Sequence, residues 1–235
     1  MPIDVPGGRS LHGTYTAETV LMCRFILLAS PEPWDMRELA VQFAHMCQQS
    51  KCLDGDWQGD GWGMAWQDHE GAWQRHRSLA PIWTDADAFA GLPPTRHLVV
   101  HARAASFPYQ KGRLSYNQPY VHGSHAFVFN GLIQGVRLPR KVPGAIGAAK
   151  IWWLVREQLD QGTPPQQALD HVYDLLVEHS SRIQACNMGL SNGREYVFCN
   201  GNPSGLDYYQ IYQAQQDALH MASSEPFGDY AWYTS

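Results

Sequence analysis

The order of apolar patterns along this chain limits the folds that it can adopt. Short apolar runs, which are typical of strands, alternate with three longer segments in which apolar residues recur at helical spacing. The chain contains strands, one helix, strands, two helices and strands in that order, and it has no internal repeat. Strands grouped in this way favour sheets whose outer faces are covered by helices. The sequence therefore predicts a layered α+β fold with two sheets.

The predicted helices combine apolar periodicity with recognisable ends. The first covers residues 35–50, with Asp35 as its N-cap. The second covers residues 145–162 and ends at a glycine. The third covers residues 163–180, with Thr163 as its N-cap and proline in its first turn.

The predicted strands are short and end in small or polar residues. They lie within residues 23–30, 54–66 (where a glycine-rich turn leads into the strand), 71–78, 96–105, 125–131, 183–191, 194–201, 208–214 and 218–224. Turns are predicted at Asn192–Gly193 and Asn200–Gly201, because Asn-Gly pairs favour tight hairpins.

Composition excludes several classes of protein. The length of 235 residues suits one domain, and the net charge of −5, without a basic block, gives no sign of a nucleic-acid partner. No apolar run reaches the roughly 18 residues that a membrane helix needs, so no membrane partner is expected. The five cysteines are odd in number and scattered. This argues against disulfides and for a reducing compartment, which we expect to be the cytoplasm.

The first 22 residues carry Pro, Gly and Thr without periodicity. We interpret residues 1–22 as a leader, a propeptide or a start assigned too early, and residues 23–235 as the functional domain. Removal of everything up to Met22 would leave Cys23 with a free α-amine. A cysteine in that position carries a nucleophilic sulfur and, in its own amine, a base that titrates near neutral pH.

Further residues at predicted strand ends have the chemistry of an acyl-transfer site. The side-chain amide of Asn130 and the backbone N–H of Gly131 are adjacent donors that an oxyanion needs. The guanidinium of Arg103 can bind a carboxylate through two hydrogen bonds. Each residue also has an ordinary alternative, as a core cysteine, a surface cation, an Asn-Gly hairpin turn or, for Glu225, a solvated carboxylate.

Five motifs occur together and in a fixed order. They are MCRFILLAS (22–30), DGWGMAW (60–66), HARAAS (101–106), NQPY (117–120) followed by FNGLIQG (129–135), and SEPF (224–227). In this order they resemble the class II glutamine amidotransferases of the N-terminal-nucleophile hydrolase superfamily. The nearest similarity is to the small stand-alone type that includes the amidohydrolase of ergothioneine biosynthesis, and it extends from Cys23 to about Phe227.

The resemblance implies a four-layer αββα sandwich that cleaves the side-chain amide of glutamine or a γ-glutamyl compound through a thioester. It implies no cofactor and, if ammonia is delivered, a separate ammonia-accepting synthetase as partner. The implied roles are nucleophile for Cys23, oxyanion hole for Asn130 and Gly131, substrate-carboxylate ligand for Arg103, and shaping of the glutamyl pocket by the backbone of Trp62 and Gly63.

Three departures from the family pattern affect the expected substrate. The aspartate that binds the substrate ammonium is missing near Gly147, and Lys150 lies one turn further on. Glu225 is a candidate replacement for it in substrate binding. The usual His of the Asn-x-His-Pro segment is Gln118, for which we expect a structural role, and the usual His before Asn-Gly is Phe129. We therefore predict weak use of free L-glutamine, or a substrate whose amino group is acylated or absent.

Two other functions stay open at this stage. The missing aspartate and the leader are also compatible with an inactive relative that serves as a binding or partner subunit. A metal site would rest on His122 with His125 or on Cys47 with Cys52, but neither spacing completes a recognised ligand set.

Overall fold

The computed structural model of the chain describes residues 22–50 and 57–234. The predicted leader, apart from Met22, and Cys52 lie outside the described residues. The strands are β1 (Arg24–Trp34), β2 (Trp62–Gln67), β3 (Trp73–Ser78), β4 (Thr95–Ala102), β5 (Tyr120–His122), β6 (His125–Gln134), β7 (Arg182–Ser191), β8 (Tyr196–Gly201), β9 (Tyr212–Gln216) and β10 (Leu219–Ser223). The α-helices are α1 (Arg37–Gln48), α2 (Ala86–Ala90), α3 (Gly147–Asp160) and α4 (Pro165–His179).

Two antiparallel sheets organise these elements. The larger sheet has the strand order β3-β2-β4-β1-β10-β9, and the smaller has the order β5-β6-β7-β8. Helix α1 packs on the outer face of the larger sheet, while α3 and α4 cover the outer face of the smaller one. The predicted α+β fold, with four layers in the order helix, sheet, sheet, helix, is confirmed.

The central strand β1 is apolar on both faces because both faces are covered. Ile26 and Leu28 pack towards α1, whereas Phe25 and Leu27 pack against residues of β6 between the sheets. Each of these four side chains is at most 1% exposed. A strand buried on two faces reads as a continuous apolar run, and this is why β1 was recognisable in the sequence.

Four local predictions are wrong. Helix α1 has Met36 rather than Asp35 at its N-cap, and the Asp35 carboxylate accepts from the Arg37 amide at 3.1 Å. Asn200–Gly201 is the last pair of β8 and not a turn, whereas the turn at Asn192–Gly193 is confirmed by a hydrogen bond from the Asn192 amide to the Glu195 carbonyl. The hairpin-turn alternative for Asn130–Gly131 is also wrong, because both residues lie inside β6 and pair with β7. Helix α4 has Pro164 rather than Thr163 at its N-cap, with no side-chain capping bond, because a proline side chain has no oxygen that could accept one.

The described part of the chain can be searched for a membrane-spanning helix and for a metal site. No helix there is long and apolar enough to cross a bilayer. In residues 22–50 and 57–234, no group of three or more His, Cys, Asp and Glu side chains could hold a metal ion. Cys47, Cys186 and Cys199 are free thiols.

Candidate active site

Cys23 lies immediately before the central strand of the larger sheet, at the wall of a large cavity. The antiparallel register pairs Arg24 with Ala102, so the residues that follow β4 lie beside Cys23. The Cys23 thiol donates to the Ala104 carbonyl, with an Sγ–O distance of 3.5 Å. The cavity has a volume of about 750 Å³, within the range of small-molecule sites, and Arg103 and Gly131 also line it.

Arg103 is held rigidly at the end of β4. Its backbone N–H donates to the Gly61 carbonyl at 2.8 Å, and its carbonyl accepts from the Asp60 amide at 2.9 Å. The carboxylate of Asp60 also accepts from the Ala105 amide and pairs with Lys111. The DGWG motif therefore fixes the backbone on both sides of Arg103.

The guanidinium of Arg103 has unused hydrogen-bonding capacity. Its Nη2 donates to the Gln110 carbonyl at 3.0 Å, whereas its buried Nη1 has no partner among the described residues. The residue is only 4% exposed. A buried charged donor without a partner is costly, so this geometry suits an anionic ligand in the cavity.

Asn130 and Gly131 lie in β6, on the opposite sheet. Asn130 is 1% exposed, and neither atom of its side-chain amide has a partner among the described residues. Gly131 lines the cavity, whereas Asn130 is not among its lining residues. A Cβ at position 131 would lie 2.2 Å from the Ala185 carbonyl oxygen. The strand can therefore approach β7 at this point only with glycine.

Gln118 binds the backbone directly before this pair. Its Oε1 accepts from the Phe129 amide at 2.6 Å, and its Nε2 donates to the Phe129 carbonyl at 3.0 Å. The same Nε2 lies 3.2 Å from Nε2 of His101. Because the amide nitrogen is a donor, this ring nitrogen accepts, and the proton of the neutral imidazole is on Nδ1. Gln118 thus fixes the position of β6 where it passes the cavity.

His101 is neutral over the whole physiological range. It is completely buried between β1 and β2 on strand β4. Burial, reinforced by the nearby charge of Arg103, lowers the pKa of His101 to about 3. A protonated ring could not accept from Gln118, so neutrality preserves this contact.

Three of the predicted substrate-binding residues do not line the cavity. The indole of Trp62 is fully buried in the core beneath α1, and its Nε1 donates to Asp85 at 3.0 Å. Gly63 leaves space for the segment around the cis peptide bond between Gln118 and Pro119, because a Cβ on Gly63 would lie 2.4 Å from the Gln118 carbonyl oxygen. The carbonyl of Trp62 accepts from Nδ2 of Asn117 at 3.4 Å. Trp62 and Gly63 therefore both contact the segment that carries Gln118.

The third of these residues, Glu225, takes part in a buried ion pair. Its Oε2 accepts from Nε of Arg24 at 2.9 Å and also contacts the Ser50 hydroxyl. Arg24, which is 0% exposed, donates through Nη2 to Ser50 and through Nη1 to the Cys23 carbonyl at 3.1 Å. Sequence reasoning missed this role of Arg24, although Arg24 directly follows Cys23 in the first motif.

Four cations and the start of a helix also line the cavity. We call Arg137, Arg140, Lys141 and Lys150 the basic wall, and all four line the cavity. Gly147, where the expected aspartate is missing, lines it as well, at the first residue of α3. No carboxylate belongs to the lining formed by the described residues.

The residue before the thiol is packed into the protein. The Met22 side chain is 2% exposed and packs against Ala185, Tyr208 and Tyr209. Its amide donates to the Tyr208 hydroxyl at 3.2 Å. In this chain the Cys23 nitrogen is therefore a peptide nitrogen, which has no useful basicity.

Solved structures share this architecture. A glutamine aminotransferase class-II domain protein from Silicibacter pomeroyi matches with a TM-score of 0.56 at 15% identity, over 88% of this chain and 90% of that chain. The glutamine phosphoribosylpyrophosphate amidotransferase of B. subtilis matches with a TM-score of 0.56 at 11% identity, over 88% of this chain and 45% of that chain. This chain has the fold of class II glutamine amidotransferase domains. It spans less than half of the length of the B. subtilis enzyme.

A third structure, described as the allosteric regulatory enzyme of purine biosynthesis, matches with a TM-score of 0.53 at 14% identity, over 88% of this chain and 45% of that chain. No protein-family model and no curated protein matches the chain. At such identities the similarity is one of fold, so the activity has to be argued from the residues of the cavity.

The Arg24–Glu225 pair makes a first prediction. We expect Glu225→Gln to lower the free energy of unfolding by about 3 kcal/mol, because it removes the buried negative charge that Arg24 contacts. Chemical denaturation measures this difference. Glu32→Gln, which breaks the exposed pair with Arg96, should cost less than about 1 kcal/mol. Equal losses in the two variants would contradict the prediction.

The buried imidazole makes a second prediction, on pH dependence. The pKa of His101 is about 3 in the folded chain, below the ~6.5 of an unfolded histidine. The unfolded chain therefore binds the extra proton, and the stability contributed by neutral His101 is complete above pH 6.5 and falls as the pH drops towards 3. We expect a loss of about 2 kcal/mol from this residue between pH 7 and pH 5, measured by urea unfolding.

The matched variants for this experiment are His101→Gln and His69→Gln. Glutamine at position 101 keeps an acceptor for Gln118 but does not titrate, so that variant should lose the pH-dependent part. His69 is 89% exposed, and its replacement should leave the pH dependence unchanged. An unaltered pH slope in His101→Gln would show that another group is responsible.

Proposed function

We propose that this protein is an N-terminal-cysteine amidohydrolase that cleaves the side-chain amide of a glutamine-like or γ-glutamyl compound. The observation that carries the proposal is the meeting of three groups in one cavity: the Cys23 thiol, the Arg103 guanidinium and the backbone of Gly131. The fold, which it shares with class II amidotransferase domains, supports the same reading.

The proposed reaction begins once Cys23 is the first residue. Its α-amine takes the thiol proton, and the sulfur attacks the side-chain amide carbon. The oxyanion accepts hydrogen bonds from Nδ2 of Asn130 and the N–H of Gly131. The C–N bond then breaks, the amine leaves with the proton carried by the α-amine, and a thioester with Cys23 remains. Water, deprotonated by the same amine, hydrolyses the thioester to a carboxylate and restores the thiol.

Two features of Asn130 and Arg103 favour this chemistry over a structural role. A buried amide without a partner costs stability unless a ligand or a transition state supplies one. Likewise, the unpartnered Nη1 of Arg103 is suited to a carboxylate of the substrate. Nη1 of Arg103 and Nδ2 of Asn130 are both donors without a partner among the described residues, and the substrate carboxylate and the oxyanion each need donors.

A second candidate function is that of an inactive relative that binds a small molecule or a partner subunit. The buried Met22, with its amide bonded to Tyr208, favours this candidate, because the base of the proposed reaction is blocked while the preceding peptide bond is intact. The two candidates differ in one property, which is the reactivity of Cys23 once it is terminal.

The third prediction tests that property. A chain begun at Met22, from which the host removes the methionine, should form a covalent adduct at Cys23 with 6-diazo-5-oxo-norleucine or its N-acetyl derivative. It should also hydrolyse γ-glutamyl amides, with L-glutamine a poor substrate. Mass spectrometry locates the adduct, and ammonia release measures turnover.

The controls separate chemistry from folding. Cys23→Ala should abolish both adduct and turnover, whereas Cys199→Ala, at another partly buried thiol, should retain them. The full chain, with Cys23 in a peptide bond, should be at least a hundredfold slower. Absence of an adduct on the terminal Cys23, in a folded protein, would favour the inactive relative.

The fourth prediction compares two asparagines that face each other on β6 and β7. Asn130→Ala should lower kcat by about 10²–10³ with little loss of stability, because the amide has no partner among the described residues. Asn187 donates to the Tyr209 carbonyl at 2.6 Å, so Asn187→Ala should instead cost about 1–3 kcal/mol of stability. A stable Asn130→Ala enzyme with unchanged kcat would exclude Asn130 from the oxyanion hole.

A further inference from the structure

The charge of the cavity differs from the charge of the protein. The chain has 17 basic and 22 acidic residues, yet the cavity lining contains five of the basic residues, Arg103 and the basic wall, and no acidic residue from the described part of the chain. A cavity lined by one sign of charge concentrates ligands of the opposite sign. The surface as a whole is acidic, so this concentration of cations belongs to the cavity.

Most of these cations are not neutralised. Arg140 pairs with Glu157, which neutralises part of its charge. Its guanidinium carbon also lies 4.9 Å from the centre of the Trp153 ring. Arg137, Lys141 and Lys150 form no ion pair with the described residues. These three side chains are exposed at the cavity and are available to a ligand.

The first turn of α3 adds donors of the same polarity. Gly147 and Ala148 line the cavity, the N-cap residue Ile146 makes no side-chain capping bond, and no acidic residue occurs in the first turn. The helix has 14 residues, so its N-terminus presents unsatisfied N–H groups and the positive end of the macrodipole. In the same cavity, the buried Nη1 of Arg103 has no partner among the described residues, which independently indicates that an anion binds here.

A free ammonium group has no favourable position against this wall. A glutamine molecule carries one carboxylate and one ammonium, and Arg103 suits only the carboxylate. The ammonium would face cations and backbone donors with no carboxylate in the described lining, and like charges repel. An anionic substituent in its place would instead be attracted by the basic wall.

We propose that the substrate carries two anionic groups and no free α-ammonium. Arg103 binds the α-carboxylate, and Lys150, Lys141 and the N-terminus of α3 bind a second carboxylate carried on an acylated α-nitrogen. The substrate class is therefore an N-acylated glutamine-type ω-amide whose acyl group is itself acidic. This inference rests on the proposed function and specifies its substrate.

The test measures binding rather than turnover, on the full chain with Cys23→Ala. Isothermal titration calorimetry compares L-glutamine, N-acetyl-L-glutamine (one negative charge) and N-succinyl-L-glutamine (two), with γ-L-glutamylglycine as a ligand whose second carboxylate is on the leaving amine. N-succinyl-L-glutamine should bind at least tenfold more tightly than N-acetyl-L-glutamine, and its advantage should shrink as salt is raised.

Charge variants of the wall give a readout that a structural role would not produce. Lys150→Gln should reduce the preference for N-succinyl-L-glutamine over N-acetyl-L-glutamine about fivefold. Lys150→Glu should reverse this preference, and it should also raise the affinity for L-glutamine, whose ammonium is positively charged. Arg75→Gln, at an exposed arginine of β3 that does not line the cavity, should change neither affinity. Lys141→Gln provides a second variant of the wall with the same expected direction.

The outcomes distinguish this inference from the proposed function. Equal binding of the acetyl and succinyl compounds, tighter binding of γ-L-glutamylglycine, or no binding of any of the four ligands would overturn the inference. If any of these results is found while the terminal Cys23 still hydrolyses simpler amides, the proposed amidohydrolase function stands and only the inference about its substrate fails. A Lys150-dependent preference for the succinyl compound in a protein whose terminal Cys23 hydrolyses no amide would support the anion site and reject the amidohydrolase.

Discussion

The buried ion pair between Arg24 and Glu225 holds together the part of the protein in which Cys23 lies. A charge that is removed from water has to be paired and hydrogen-bonded, and Arg24 meets this demand through Glu225, Ser50 and the Cys23 carbonyl. These partners come from three segments that are far apart in sequence: the start of β1, the end of the α1 region and the end of β10. The hydrogen bonds of the Arg24 guanidinium therefore fix the position of the Cys23 backbone.

A second polar contact fixes the opposite side of the cavity. Gln118 satisfies both backbone groups of Phe129, while its contact with His101 requires that this buried ring stay neutral. The thiol on one sheet and the Asn130–Gly131 backbone on the other are thus held by separate buried networks. Such support offsets the cost of the donors that Asn130 and Arg103 leave without a partner among the described residues.

Much of the architecture could be predicted because its signals are local. The apolar run of β1 and the periodicity of the three long helices follow from burial alone, and both survive in the structure. The two failed turn assignments have a common cause: Asn-Gly favours a hairpin in isolation, but in β6 and β8 the pair is extended because β7 supplies its pairing partners. At Gly131 the glycine serves close approach to Ala185 and not a turn.

The sequence by itself determined the layered fold and the set of chemically capable residues, since periodicity and residue type need no knowledge of distant contacts. Through the order of its motifs it also predicted that Cys23, Arg103 and the Asn130–Gly131 pair would lie together, and Cys23, Arg103 and Gly131 do line one cavity. Only the tertiary structure decided that Glu225 pairs with Arg24 and that the cations of residues 137–150 face the same cavity as the thiol. Partners and electrostatic fields depend on which segments the fold brings together, and that information is absent from any local stretch of the chain.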